Sequence, residues 1–175
     1  MKRILIIGPT GAGKTTLAKK ISNKLKIPHT ELDSIYHQKN WQPINNGLFR
    51  EIVYDIAGSD QWIMCGNYYS KLGAELWDRA DTVIWCDYSF PLVFKRLFMR
   101  TMRRGIKKQE LWNGNTECLY IHLFTKDSLF LWLISSWKRQ KHRYSLLFFS
   151  PERFPTTKLI SFKNPKQAEK FIDTL

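Results

Sequence analysis

Gly8-Pro9-Thr10-Gly11-Ala12-Gly13-Lys14-Thr15 satisfies the pattern G-x-x-x-x-G-K-[ST] in full, and Thr16 follows it directly. Before it stands Arg3-Ile4-Leu5-Ile6-Ile7, a continuous apolar run of the kind buried on both faces of a parallel sheet. After it, Leu17, Ile21 and Leu25 recur at helical spacing while Lys19, Lys20 and Lys24 take the opposite face, so a helix is expected from near Gly13. Strand, glycine-rich loop and helix in this order make a phosphate cradle. A loop without side chains at Gly8, Gly11 and Gly13 can close its backbone N–H groups around a phosphate. The helix N-terminus adds unpaired donors and a partial positive charge. Lys14 then reaches the β- and γ-oxygens of a triphosphate, and the Thr15 hydroxyl ligates Mg²⁺. Gly8, Gly11, Ala12, Gly13, Lys14, Thr15 and Thr16 are thus the expected binding loop for a nucleoside triphosphate, with ATP and Mg²⁺ as the cofactors.

The rest of the composition narrows the partners. A chain of 175 residues is expected to form one domain, 1–175, with a substantial core. Its aromatic content of 14% argues against disorder. The longest apolar run, Leu129 to Ile134, is too short to cross a bilayer, so no membrane partner is expected. Cys65, Cys86 and Cys118 are scattered and odd in number, which disfavours a disulfide framework or a zinc site and fits a reducing cytoplasm. A net charge of +13 implies anionic partners: phosphates, nucleic acid or acidic lipid. The charge concentrates in two blocks, Lys95 to Lys108 and Lys138 to Arg143. A solvated basic face is the plain alternative for both.

Strand and helix patterns alternate along the chain. Short strands are expected at 29–32, 61–65, 81–86 and 158–162, with Asp33 just beyond the second. Helices are expected over 46–57, from about 69 through Leu76, from Pro91 to about Arg104, over 127–140, and from Pro165. Gly105 to Glu117 lacks periodicity and is expected to be a loop. The helix from Asp127 is apolar nearly all round in its first half, so that half must be buried or covered by a partner subunit, which hints at a homo-oligomer. The alternation gives an α/β three-layer sandwich on a parallel sheet, with ligands at its carboxyl edge.

Glu31-Leu32-Asp33, Asn40-Trp41-Gln42-Pro43, Gly66-Asn67-Tyr68, Ala80-Asp81-Thr82-Val83-Ile84 and Leu111-Trp112-Asn113-Gly114-Asn115 follow the phosphate loop in an ordered series. With that loop, the series resembles the adenylate-kinase-related "DNA topology modulation" family of small P-loop proteins, a branch of the nucleoside and nucleotide kinases. The likeness spans nearly the whole chain. It implies a five-stranded parallel sheet in the order 2-3-1-4-5 and a helical lid, here 100–143. The family's third strand usually ends in an acidic residue that would hold Mg²⁺ through a water, whereas this chain has Cys65. Asp33 or Asp87, each at a strand end, could supply that carboxylate.

In small-molecule kinases of this shape, a carboxylate where Asp33 stands orients the acceptor hydroxyl for in-line attack; the alternative is a helix N-cap. Arg96, Arg100, Arg103 and Arg104 fall at i, i+4, i+7 and i+8, one helix face, from which guanidiniums can clamp a transferring phosphoryl group. Lid closure in the family resembled uses such arginines, with Gly105 and Asn113-Gly114 as candidate flexibility points. Lys14, Asp33, Arg96, Arg100 and Arg104 are therefore the expected catalytic set. The leading reading is an ATP-dependent phosphotransferase acting on a small hydroxyl- or phosphate-bearing, nucleoside- or nucleotide-like acceptor. A polynucleotide 5′-kinase, with the basic blocks tracking a nucleic-acid backbone, is a second reading. A nucleotide-sensing, nucleic-acid-associated regulator without efficient turnover is a third.

Overall fold

The run Arg3–Ile7 (β1) forms the middle of the sheet, because Ile4, Leu5, Ile6 and Ile7 are all buried and need neighbours on both sides and both faces. It pairs in parallel with Trp62–Cys65 (β3) on one side and Thr82–Cys86 (β4) on the other. His29–Glu31 (β2) joins β3, and Lys158–Phe162 (β5) joins β4, so the order is β2-β3-β1-β4-β5, all parallel. The structure is a computed structural model that describes residues 1–126 and 128–175, and of Leu123, Phe124 and Pro151 the backbone only.

Alternation along the strands sends side chains into two cores. Ile4, Ile6, Ile63 and Ile84 face Lys14–Leu25 (α1), Phe90–Ile106 (α6) and Pro165–Asp173 (α9). Leu5, Ile7, Met64, Val83 and Trp85 face Asn46–Ala57 (α3) and Glu75–Arg79 (α5). Shorter helices occupy Leu32–Tyr36 (α2), Tyr69–Leu72 (α4) and Leu119–Phe124 (α7). Leu129–Phe149 (α8) belongs to both layers. Its Phe130 and Leu133 pack in the first core, and its Tyr144 and Leu147 in the second. At 1.5 Å per residue its 21 residues reach about 30 Å, enough to pass over one end of the sheet.

Several boundaries depart from the sequence expectation, each for a packing reason. α8 continues nine residues past Gln140 to Phe149, since Tyr144 and Leu147 extend its buried stripe; Asp127, its expected start, lies outside the described residues. On its outer side Leu131, Trp132 and Ile134 stay about half exposed, so the apolar first half is only partly buried by this chain. α6 runs through Gly105 instead of ending before it. A Cβ at Gly105 would lie 2.3 Å from Leu119 Cγ, so this glycine is a close-contact point between α6 and α7. The single helical piece expected through Leu76 is two, α4 and α5, parted at Gly73, whose φ of +68° is left-handed. Finally, β2 stops at Glu31 and α2 starts at Leu32, which puts Asp33 in a helical first turn and not at its cap.

Opposite the loop edge, Asp81 ties the sheet's amino end together. Its Oδ2 accepts from the Lys2 and Arg3 N–H groups at 2.6 and 2.9 Å, and its Oδ1 accepts from the Thr82 hydroxyl at 2.8 Å. Burial pushes the Asp81 carboxyl up, but those donors outweigh it and hold it below the usual value. A folded-state pKa below the unfolded one adds stability above the unfolded pKa, lost as pH falls through the folded pKa. Asp81→Ala is expected to cost about 1–3 kcal/mol at neutral pH. In urea titrations the gap to wild type should shrink once the pH drops below about 3.9; a constant gap would contradict the assignment.

Candidate functional site

The phosphate loop leaves the carboxyl end of β1 and lies against α6. A Cβ at Gly11, whose φ is +82°, would sit 2.9 Å from both Leu97 Cβ and Val93 O, so only glycine lets the loop pack that closely. Gly13 caps α1 with no side chain, leaving the helix's first N–H groups pointing outward as donors. The loop is also tied across the sheet edge. Gly8 N–H donates to Asn67 Oδ1 at 3.0 Å, and Asn67 Nδ2 donates to Gln140 Oε1 of α8 at 2.7 Å. Lys14 folds back so that Nζ donates to Pro9 O at 3.1 Å. Burial pulls the Lys14 ammonium below its usual value, with the Asp33 carboxylate opposing that shift.

Thr15 has a carboxylate partner that the sequence did not single out. Its Oγ1 donates to Glu31 Oε2 at 2.9 Å, while Cys65 Sγ lies 3.9 Å away. Glu31 and Cys65 are register partners across β2 and β3, so the acid missing at position 65 stands one strand over. The two alternatives are otherwise engaged. Asp87 is buried and held by Lys163 and by Lys141 at 3.6 Å, which ties β5 and α8 to the end of β4. Asp33 accepts from the Tyr68 hydroxyl at 2.7 Å, and burial raises the Tyr68 phenol well above its ordinary value. The signal for Glu31 was its place as the last residue of an edge strand beside the loop. Among the described residues no group of three or more His, Cys, Asp or Glu side chains gathers to hold a metal. Thr15 with Glu31 nearby suits Mg²⁺ in the usual way, through one or two protein oxygens plus substrate phosphates.

The expected arginine face is real: Arg96, Arg100, Arg103 and Arg104 all line the same cleft. Arg96 Nη1 donates to Ala12 O at 3.4 Å and lies over the Tyr88 ring. Arg100 Nη2 reaches Thr10 Oγ1 at 3.5 Å. Arg104 Nη1 donates to Glu117 Oε1 at 2.7 Å, a residue unremarked in the sequence. The cleft, of about 1380 Å³, extends from Pro165 and Ala168 past the phosphate loop to Asp33, Tyr36 and Trp41. Arg139, Gln140 and Arg143 of α8 close another side. One end thus sets Pro165, Ala168 and Ile172 with the Lys20–Glu169 pair beside the loop, and the other is aromatic and cationic around a carboxylate.

Solved structures superpose on this arrangement over almost its full length. Shikimate kinase from Bacteroides thetaiotaomicron aligns with 99% of this chain and 95% of its own, at a TM-score of 0.59 and 16% identity. Shikimate kinase from Acinetobacter baumannii, in complex with shikimate, covers 99% and 92% at a TM-score of 0.55 and 14% identity. The chain has a kinase-like P-loop fold. Curated relatives match over short segments: shikimate kinase of Enterococcus faecalis at 49% identity over 39 residues, and a probable gluconokinase of Schizosaccharomyces pombe at 33% over 58. An adenylate kinase of Clostridium beijerinckii matches at 50% over 36 residues. Those segments are 22%, 33% and 21% of this chain and 23%, 27% and 17% of the respective relatives. A family model described as "Ethanolamine utilisation - propanediol utilisation" matches residues 1–73 and stops before β4 and the arginine helix. No helix among the described residues is long and apolar enough to cross a membrane.

Thiol chemistry checks the electrostatics of this edge. Burial pushes Cys65 up to about 12 and Cys86 up to about 11, whereas Cys118 is exposed. A disulfide reagent at pH 8 is expected to label one thiol per native chain quickly, at Cys118, and three in denaturant. Rapid labelling of Cys65 in the native protein would contradict the buried environment described beside Thr15.

Proposed function

We propose that the protein is an ATP-dependent phosphotransferase of one domain, 1–175, that moves the γ-phosphoryl group to a small hydroxyl- or phosphate-bearing acceptor. One observation carries the reading: Lys14 and the Thr15–Glu31 pair line one wall of a cleft whose neighbouring walls carry Asp33 and four arginines. The triphosphate would lie on the loop 8–16, with Lys14 on its β- and γ-oxygens. Thr15, with Glu31 behind it, would hold Mg²⁺, whose charge would offset that of the phosphates. Asp33, oriented by Tyr68, would accept the hydrogen bond of the acceptor hydroxyl and align it for in-line attack. Arg96, Arg100 and Arg104 would take up charge that develops on the transferring group. Segment 100–143 would act as the lid. The aromatic surroundings of Asp33, Tyr36, His37, Trp41 and Tyr68, support a ring-bearing, nucleoside- or nucleotide-like acceptor. The ordered motif series resembling the "DNA topology modulation" family supports a member of that kinase-like branch, and the three free cysteines support a reducing cytoplasm.

The test is ATP consumption with nucleosides, nucleoside monophosphates, sugars and short oligonucleotides as acceptors. Turnover is expected with a small acceptor. Asp33→Asn should then lower kcat by about 100-fold or more while leaving the KM for ATP within a few-fold. Glu31→Gln should raise the Mg²⁺ concentration needed for half-maximal rate. Turnover confined to oligonucleotides would transfer the assignment to a polynucleotide kinase, and no turnover with any class would contradict phosphoryl transfer.

A further inference from the structure

The lid segment and the acceptor side of the cleft are joined by two similar turns. His37 bridges Pro43 around Asn40, and Glu110 bridges Thr116 around Asn113; both asparagines have a φ of 58°. Five hydrogen bonds lock the turns to each other and to α2. Trp41 N–H donates to Asn115 Oδ1 at 2.9 Å, and Trp41 Nε1–H donates to Thr116 O at 3.1 Å. Asn115 Nδ2 donates to Gln38 O at 2.9 Å. Asn113 Nδ2 donates to His37 O at 2.6 Å and Ser34 O at 3.2 Å. The residue after Thr116 is Glu117, whose side chain is only 3% exposed. Its Oε1 meets Arg104 at 2.7 Å and Arg100 at 3.8 Å, and its Oε2 has no hydrogen-bond partner among the described residues.

A buried carboxylate with one free oxygen is costly unless its cationic partners stay in place. Glu117 therefore holds two guanidiniums of α6 in one orientation, and Arg100 in that orientation reaches Thr10 of the phosphate loop. The contacts run without a break from the acceptor-side segment, through the paired turns, to Glu117, the arginines and the loop. We infer that Glu117 is a positioning residue for Arg100 and Arg104, and that the paired turns make its placement depend on the acceptor-side segment around Trp41. The inference rests on the kinase reading above. Its consequence is that the arginines are aimed when both sides of the cleft are closed together, which restrains transfer to water when the acceptor side is open.

The experiment measures affinity for MgADP alone and for MgADP with aluminium fluoride, a mimic of the transferring phosphoryl group. In the wild type the fluoride complex is expected to bind at least about tenfold more tightly than MgADP, as transition-state mimics do. Glu117→Gln should lose most of that gain with MgADP affinity changed by less than about twofold. Asn115→Ala, which leaves the arginines and Glu117 intact, should lose a large part of it as well. Arginines held wrongly but still present account for that split, whereas mere loss of stability would weaken both complexes alike. An undiminished gain in Glu117→Gln, or an equal loss for both ligands, would overturn the inference. Wild-type protein that fails to bind MgADP would instead contradict the kinase reading on which it rests.

Discussion

A half-buried lysine sets the terms for this structure. Lys14 sits below its ordinary pKa because burial disfavours its charge, and it donates to the Pro9 carbonyl of its own loop. Such an ammonium is tolerated only where fixed dipoles and nearby carboxylates offset part of the desolvation cost. Asp33 supplies part of that offset from the first turn of α2. An incoming phosphate would supply the rest. The partial burial that makes Lys14 costly in isolation also strengthens its attraction for a polyphosphate, since less solvent screens it than at an open surface.

Holding the lysine there requires the sheet edge to be rigid, and α8 contributes much of that rigidity. The helix starts in one core at Phe130 and Leu133 and finishes in the other at Tyr144 and Leu147. Between them it presents Gln140 to Asn67 and Lys141 to Asp87. Asn67 in turn takes the Gly8 N–H, so the first glycine of the phosphate loop is anchored through two side chains to a helix far along the chain. The basic block at 138–143 therefore includes groups with defined partners, and it is not wholly a solvated face. Arg143 likewise lies over the Tyr69 ring. The other basic block divides in the same way: Arg96, Arg100 and Arg104 face the cleft, while Lys107 and Lys108 are exposed.

Much of the fold was legible because local signals agreed. The apolar run at β1, the glycine loop and the α1 stripe specify a strand–loop–helix unit by periodicity and backbone freedom alone, and the order 2-3-1-4-5, which the family resemblance implied, is the one observed. The arginine face followed from 3.6-residue spacing. What was not legible depended on contacts between distant elements. Glu31 looked like an ordinary strand residue until its register with Cys65 brought it to Thr15. Asp87 looked available until Lys141 and Lys163 closed on it from α8 and the loop after β5. Gly105 read as a flexibility point, yet it is the place where Leu119 meets α6. Glu117 carried no signal at all, because a carboxylate becomes informative only when the chain fold buries it against two arginines.

In the proposed function this loop binds a nucleoside triphosphate with Mg²⁺ through Lys14. Thermal unfolding with and without millimolar MgATP tests it most directly, on the wild type and on Lys14→Ala. Saturation at about 100 times Kd should add about 2.7 kcal/mol to wild-type stability and raise its melting temperature. Lys14→Ala should lose most of that gain while unfolding at a similar temperature without nucleotide. A wild-type melting temperature that MgATP leaves unchanged, or an equal rise in Lys14→Ala, would contradict the account.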